Sequence, residues 1–298
     1  MAKIRYRDWS PTLETQERIL VIDRFLNEYK GRVTVRQLYY RLVAGGHIAN
    51  NDKEYGRVQD LITKARYAGL IDWNAIEDRN REPLKAAEWQ DGAHLLRSAV
   101  EDFRLNRWEM QPFYLELWVE KAALAGVLSP IAIDYHLTLM VNRGYGSASS
   151  MKESADRIRA RSRASGKWTS HHRPIILYIG DFDPSGEDMV RDVRERLLEF
   201  GCPRELDVFK LALTKAQIEK YNPPPNPAKV TDSRAAKYIA EHGDESWEVD
   251  AIPPKELALL VRTSINAYVD KQAMTDAITR EEIIKKRIRA LAATFKEG

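Results

Sequence analysis

The chain has 298 residues, enough for one large domain or two ordinary ones with a real apolar core. Hydrophobic residues make up 44% and charged residues 31%, a soluble balance, and the net charge of +3 permits a nucleic-acid partner without demanding one. The single cysteine, Cys202, excludes an internal disulfide framework and a cysteine-rich zinc site, which fits a reducing cytoplasm; no run approaches the ~18 apolar residues that span a membrane, and MAKIRYRDWSP has no apolar stretch like a secretory leader.

Residues 11–30 read as a helix, because Ile19, Leu20, Ile22, Phe25 and Leu26 recur at helical spacing. A second helix is expected from the N-cap Thr34 through VRQLYYRLVA to the stop at Gly45-Gly46, and a third over EYGRVQDLITKARYAG, ending near Gly69. LIDWNAIEDRNRE is short and mixed and fits a wing or hairpin. Three short helices with a β-like appendage match a winged-helix or helix-turn-helix module, expected over residues 1–85. Arg36 and Arg41 on the second helix, and Arg57, Lys64 and Arg66 on the third, lie among Tyr55 and Tyr67. This mixture suits either a phosphate backbone or a solvated helix face diluted by Glu54 and Asp60.

Residues 84–112 read as helix and then irregular chain, with 86–112 expected as a linker. From Phe113 onward, β-rich runs (FYLELWV, LTLMVN, PIILYIG, LDVFKLALT) alternate with helical ones (KAALAGVLSPIAIDYH, MKESADRIRARSRA, DMVRDVRERLLEF). Such alternation predicts an α/β unit over 113–298, with a mostly parallel sheet covered on both faces. YNPPPNPAK reads as a surface loop, and the tail from Ile252 as a helical extension.

Two β runs end in acids. FYLELWV leads into Glu120, and PIILYIG leads into Asp181 and Asp183. In open parallel sheets ligands bind beyond the carboxyl ends of the strands, so all three acids fall where a site belongs. An oxygen-rich cluster of this kind suits Mg²⁺ with waters and a phosphate. Asp183-Pro184-Ser185-Gly186 also reads as a turn into a helix with Asp183 as its cap. Lys121 follows Glu120 and points either to phosphate or to solvent. RGYGSASS serves either as a backbone cradle for phosphate or as a turn with a serine cap. Glu187 and Asp188 read either as supporting acids or as favourable charge at a helix N-terminus. No G-x-x-x-x-G-K-[ST] loop is present.

On the second helix, Val35, Leu38, Tyr39, Leu42 and Val43 form the apolar face, which assigns Tyr39 to the core. Tyr40 falls on the flank, four residues after Arg36. A phenol with a pKa near 10 needs a cation, a base or a metal before it can act as a nucleophile. Arg36 is placed to stabilise a phenolate or to hold phosphate; the alternative is that Tyr40 only packs.

VEKAAL (119–124) followed by GDFDPSGEDM (180–189) resembles the Toprim fold of topoisomerases, primases and related nucleases. The DFDPSG form is most similar to the topoisomerase VI A subunit and the meiotic double-strand-break proteins, and the likeness extends to WEVDAIPPKELALLV (247–261). The resemblance implies a winged-helix domain ahead of a Toprim domain, with Glu120, Asp181 and Asp183 as Mg²⁺ ligands. It also implies a nucleophilic tyrosine in a motif like R-D-x-Y-Y, matched here by Arg36-Gln37-Leu38-Tyr39-Tyr40 with Gln37 departing. Expected partners are double-stranded DNA, a second copy in a homodimer whose tyrosine meets the other subunit's metal site, and a separate ATPase B-type subunit. No membrane is expected, and the location would be cytoplasmic, at the nucleoid in a bacterium, archaeon or phage. DNA cleavage by Tyr40 is the leading expectation. A Toprim nuclease using water and a non-catalytic winged-helix DNA-binding protein are the alternatives.

Overall fold

The structure is a computed structural model that describes residues 3–28, 33–76, 86–142, 146–162, 172–228, 232 and 234–294. Helices α1 (Leu13–Glu28), α2 (Val35–Ala44) and α3 (Asp52–Tyr67) form the first unit. Thr34 caps α2 as expected: it accepts from Gln37 N while the Gln37 side chain returns to the Thr34 N–H. Asn51 caps α3. Ile22, Leu38, Leu42, Val58 and Ile62 close the core between these helices. Of the expected wing, residues 70–76 form a 3-10 turn at Trp73–Ala75 and one parallel bridge between Val33 and Ile76, with no hairpin; residues 77–82 lie outside the described residues.

Helix α4 (Gly92–Asp102) and the irregular chain after it match the reading of 84–112. This stretch is nevertheless tied into the second unit, because Trp108 is buried in that unit's core. The second unit is mixed α/β. Strands β1 (Phe113–Val119), β2 (Thr138–Val141), β3 (Arg173–Ile179) and β4 (Asp207–Ala212) form a wholly parallel sheet in the order β2-β1-β3-β4. Crossovers run through α5 (Ala125–Asp134), α6 (Ala148–Ser162) and α7 (Pro184–Glu199).

Alternation along the strands sets the two faces. Leu115, Leu117 and Val119 of β1, with Ile175, Leu177 and Ile179 of β3, join one core with α5 and α10 (Pro254–Asn266). Trp118, Ile176 and Tyr178 point the other way, into a core with α6 and α7. Each fully buried aliphatic side chain contributes about 2 kcal/mol.

The odd residue in β1 is Glu116, fully buried at mid-strand. Its carboxylate accepts from Tyr114 Oη (2.5 Å), Trp118 Nε1 (2.7 Å), and Arg157 Nε and Nη2 (2.8 and 3.0 Å). Four donors satisfy the charge and pin α6 to the sheet.

The proline-rich stretch departs from expectation. It contains a short strand, β5 (Asn226–Pro227), antiparallel to β6 (Glu245–Ser246), which Pro227 tolerates as a two-residue edge. Helices α8 (Lys215–Tyr221) and α9 (Ala235–His242) flank this ribbon. The helical tail is α10 and then α11 (Lys271–Thr294), which packs on α4. Among the described residues, no helix is long and apolar enough to cross a membrane.

Buried Glu281 fastens α11. It accepts from Arg107 Nη2 (2.9 Å), Leu105 N (2.9 Å) and Lys285 Nζ (3.0 Å). Burial alone would raise its pKa, but the three donors hold it down to about 2 from an ordinary 4.5. Its contribution to stability is therefore complete above pH 4.5 and is lost as pH falls towards 2. Glu281→Gln should cost about 3 kcal/mol in urea unfolding near neutral pH. The gap from wild type should narrow steadily over that acid range.

Candidate functional site

Parallel pairing of β1 and β3 puts their carboxyl ends side by side, with Val119 opposite Ile179 and Glu120 N donating to Ile179 O (2.9 Å). Glu120 Oε2 then accepts from Asp181 N (3.2 Å), so two acids about sixty residues apart in sequence meet as expected. Gly180 lies between them; a Cβ there would come within 2.7 Å of Glu120 Oε2. Asp183 is the N-cap of α7: its Oδ1 accepts from Gly186 N (2.6 Å) and Ser185 Oγ (2.9 Å). Both readings of Asp183 are compatible, since a cap uses one carboxylate oxygen.

A third segment completes the site. Residues 245–251 cross the strand ends like a strap, held by reciprocal Phe182–Trp247 backbone bonds (both 2.9 Å) and by Val249 N donating to Asp181 Oδ1 (2.8 Å). The strap delivers Glu248 and Asp250, which the sequence reading left without a role. Lys121 Nζ lies 2.9 Å from Asp181 Oδ1, 2.9 Å from Glu248 Oε2 and 3.0 Å from Asp250 Oδ1, so it is a half-buried counter-charge and no solvated lysine. Behind the site, Lys210 Nζ donates to Asp181 O (2.7 Å) and pairs with Glu187.

From the first unit, Arg36 reaches the same strap. Its Nη2 pairs with Glu248 Oε2, its Nε donates to that oxygen (3.1 Å), and Nε also lies 3.1 Å from Asp250 Oδ2. Tyr40 follows one turn later, its hydroxyl accepting from Arg36 Nη2 (3.5 Å) and close enough to Glu248 to feel its charge. The flank assignment for Tyr40 is corrected in one respect: Tyr40 is as buried as Tyr39, because the strap covers the side that an isolated helix would expose. Tyr39 lines the same cleft as Tyr40, its hydroxyl donating to Asn50 Oδ1 (2.9 Å). A cleft of about 260 Å³ is lined by Arg36, Tyr40, Asp181, Asp183, Trp247 and Glu248, among others, so Tyr40, Asp181, Asp183 and Glu248 face one space within one chain, whereas Glu120, Lys121 and Asp250 do not line it.

Glu120, Asp181, Asp183, Glu248 and Asp250 outnumber Arg36 and Lys121, and burial together with neighbouring acids raises two of them, Asp181 and Glu120. Burial, aided by Glu120 and Asp250 and opposed by Lys121, pushes the Asp181 carboxyl up to about 7. Burial and the Asp183 charge raise Glu120. Burial acts on Glu248 in the same sense, but Lys121, Tyr40 and Arg36 overcome it and hold that carboxyl low. Burial, and the Glu248 and Asp250 charges, push the Tyr40 phenol well above its ordinary 10, with Arg36 opposing them. Among the described residues no three acid, imidazole or thiol side chains converge tightly enough to clasp one ion as they stand. The all-oxygen donor set and the surplus of negative charge nevertheless fit Mg²⁺, which needs only one or two carboxylates beside its waters.

The other residues singled out lie elsewhere. Arg41 stacks over Phe25 (5.0 Å) in a groove between α1 and α2. Arg57 pairs with Glu54, Lys64 is exposed, and Arg66 stacks on Trp73 (4.4 Å). None of the four lines the cleft. Asp188 pairs with Arg191 and Arg234. In RGYGSASS, residues 143–145 lie outside the described residues, and Ser147 Oγ accepts from Ser150 N (3.1 Å) at the start of α6. Glu248 and Asp250 had no local signal, because Asp250 sits in a 3-10 turn (Val249–Ala251) that follows no strand period. Compared with known proteins, the chain matches no family model and no curated sequence.

Gly186 fixes how closely α7 approaches the site, because a Cβ there would lie 2.2 Å from Asp181 O. Gly186→Ala should cost about 2 kcal/mol despite the better helix propensity of alanine, measured by chemical unfolding. Asp183→Asn preserves a capping oxygen and should stay within about 0.5 kcal/mol of wild type, whereas Asp183→Ala should lose about 1 kcal/mol.

Proposed function

We propose that this protein is a DNA-cleaving enzyme of the winged-helix and Toprim kind, similar to the topoisomerase VI A subunit. In this reading Tyr40 is the nucleophile on duplex DNA phosphodiesters. The observation that carries it is the single cleft into which Arg36 and Tyr40 of α2 and Asp181 and Asp183 of the β3 end all project. The parallel sheet, with acids beyond its carboxyl ends, supports the Toprim assignment.

The Tyr40 phenol gives up its proton to solvent as its oxygen attacks phosphorus, one P–O bond to deoxyribose breaks, and the departing sugar oxygen takes a proton from solvent. Arg36 holds the phosphate and offsets the negative charge that builds on the phenol. Glu120, Asp181 and Asp183 would hold Mg²⁺, which supplies charge neutralisation at the phosphate. The rest of the contribution is positioning by α2 and the strap. Cutting both strands requires two copies, and the family likeness points to a homodimer and a separate ATPase partner. Since one chain lines the cleft with both tyrosine and acids, tyrosine and metal site need not come from different copies.

A second reading has an observation of its own. The Tyr40 phenol is held protonated by burial and by Glu248, which favours water as the nucleophile in a Toprim nuclease. One assay separates the readings. Wild type, Tyr40→Phe and Asp181→Asn are incubated with supercoiled DNA and Mg²⁺, and the products are denatured and scored for covalently bound protein. Tyrosine chemistry predicts an adduct in wild type and none in either variant. Cleavage without adduct, retained in Tyr40→Phe and lost in Asp181→Asn, would establish the nuclease. Salt-sensitive binding with no cleavage under any condition would leave only a DNA-binding protein.

A further inference from the structure

We propose that Arg36, Lys121 and Tyr40 form a binding site for one non-bridging oxygen of a nucleic-acid phosphate, and that Glu248 fills this site as an internal stand-in until the phosphate displaces it. The inference rests on the cleft being a phosphodiester site and adds an occupant that regulates entry.

The contacts are those of an oxyanion site. A single oxygen, Glu248 Oε2, receives Arg36 Nη2, Arg36 Nε (3.1 Å) and Lys121 Nζ (2.9 Å). The Tyr40 hydroxyl stands beside these donors, accepting from Arg36 Nη2 (3.5 Å) with its own O–H left to donate. Three N–H donors from two cations on one anionic oxygen is the coordination a phosphate oxygen seeks. A phosphodiester carries the same single negative charge as Glu248, so exchanging one for the other leaves the cleft's charge balance unchanged.

Glu248 is also the acid free to leave. Its side chain is 23% exposed, whereas that of Asp250 is 0% exposed. The strap's anchors are the Phe182–Trp247 backbone pair and the Val249 N–H on Asp181, and neither uses the Glu248 side chain. The carboxylate can therefore rotate out while the backbone keeps its place. Asp250 stays behind as a partner for both cations, so they are not left unpaired during the exchange.

An internal competitor lowers apparent affinity by the fraction of molecules it occupies, so removing it restores the intrinsic value. The test measures binding of a short fluorescein-labelled DNA duplex by anisotropy, in EDTA so that no cleavage intervenes. Glu248→Ala should bind about tenfold more tightly than wild type, and Glu248→Gln should also gain. The Glu248→Ala salt dependence should be steeper, because the freed cations then exchange counterions for phosphate. Glu245→Ala removes the same charge from an exposed site on the strap and should gain far less. Adding Arg36→Ala to Glu248→Ala should abolish the gain. A folded Glu248→Ala or Glu248→Gln protein that binds no more tightly than wild type overturns the proposal, as does an equal gain in Glu245→Ala. The adduct assay is independent. Tighter binding without adduct sinks only the tyrosine chemistry, and adduct without tighter binding sinks only the internal competitor.

Discussion

The reciprocal backbone bonds between Phe182 and Trp247, with the Val249 N–H given to Asp181, are the contacts on which the site depends. They lay residues 245–251 across the open ends of the parallel strands. Ala251, at the end of that strap, enters the core of the three-helix unit, while Val249 and Ile252 enter the core of the sheet. A single short segment is thus shared by both cores and fixes α2 over the strand ends. Asn50 adds a second tie, its Nδ2 donating to Asn226 Oδ1 (2.8 Å) and Pro225 O (3.1 Å) on the neighbouring ribbon.

The charges in the cleft follow from that placement. Bringing Glu248 and Asp250 to the strand ends adds two negative charges to Glu120, Asp181 and Asp183, and Arg36 and Lys121 do not balance the total. Buried groups respond by shifting protonation, and Asp181 is pushed up to about 7. Burial is the largest cause of that rise, with the Glu120 and Asp250 charges adding to it and Lys121 opposing it. The Tyr40 phenol feels the same surplus, and only Arg36 favours its ionisation.

Much of this was legible in the sequence where period and punctuation are strong. PIILYIG and FYLELWV are β-rich and end in acids, and both are strands whose ends carry those acids. Thr34 and Asp183 are polar residues just ahead of helices, and both cap. The rest depended on contacts that no local pattern encodes. Tyr40 looks like a flank residue on an isolated helix; its burial comes from a segment more than two hundred residues away. Glu248 and Asp250 sit in a short irregular stretch with no period to announce a direction. The basic residues of α3 fit a phosphate backbone by composition alone, but Arg66 spends its charge on Trp73 and Arg57 on Glu54. YNPPPNPAK reads as loop because proline cannot donate, and a two-residue edge strand demands little donation.

Glu116 bears on how reliably the acids are delivered. Side chains in a strand alternate, so sliding β1 by one residue would turn this carboxylate into the apolar face of Leu115 and Leu117 and leave Arg157 without its partner. An ionised group there carries a heavy penalty, whereas a misaligned valine or leucine would cost little. The mid-strand acid therefore acts as an indexing pin, allowing one alignment of β1 between β2 and β3. Glu120, four positions further on, inherits that alignment and arrives beside Asp181.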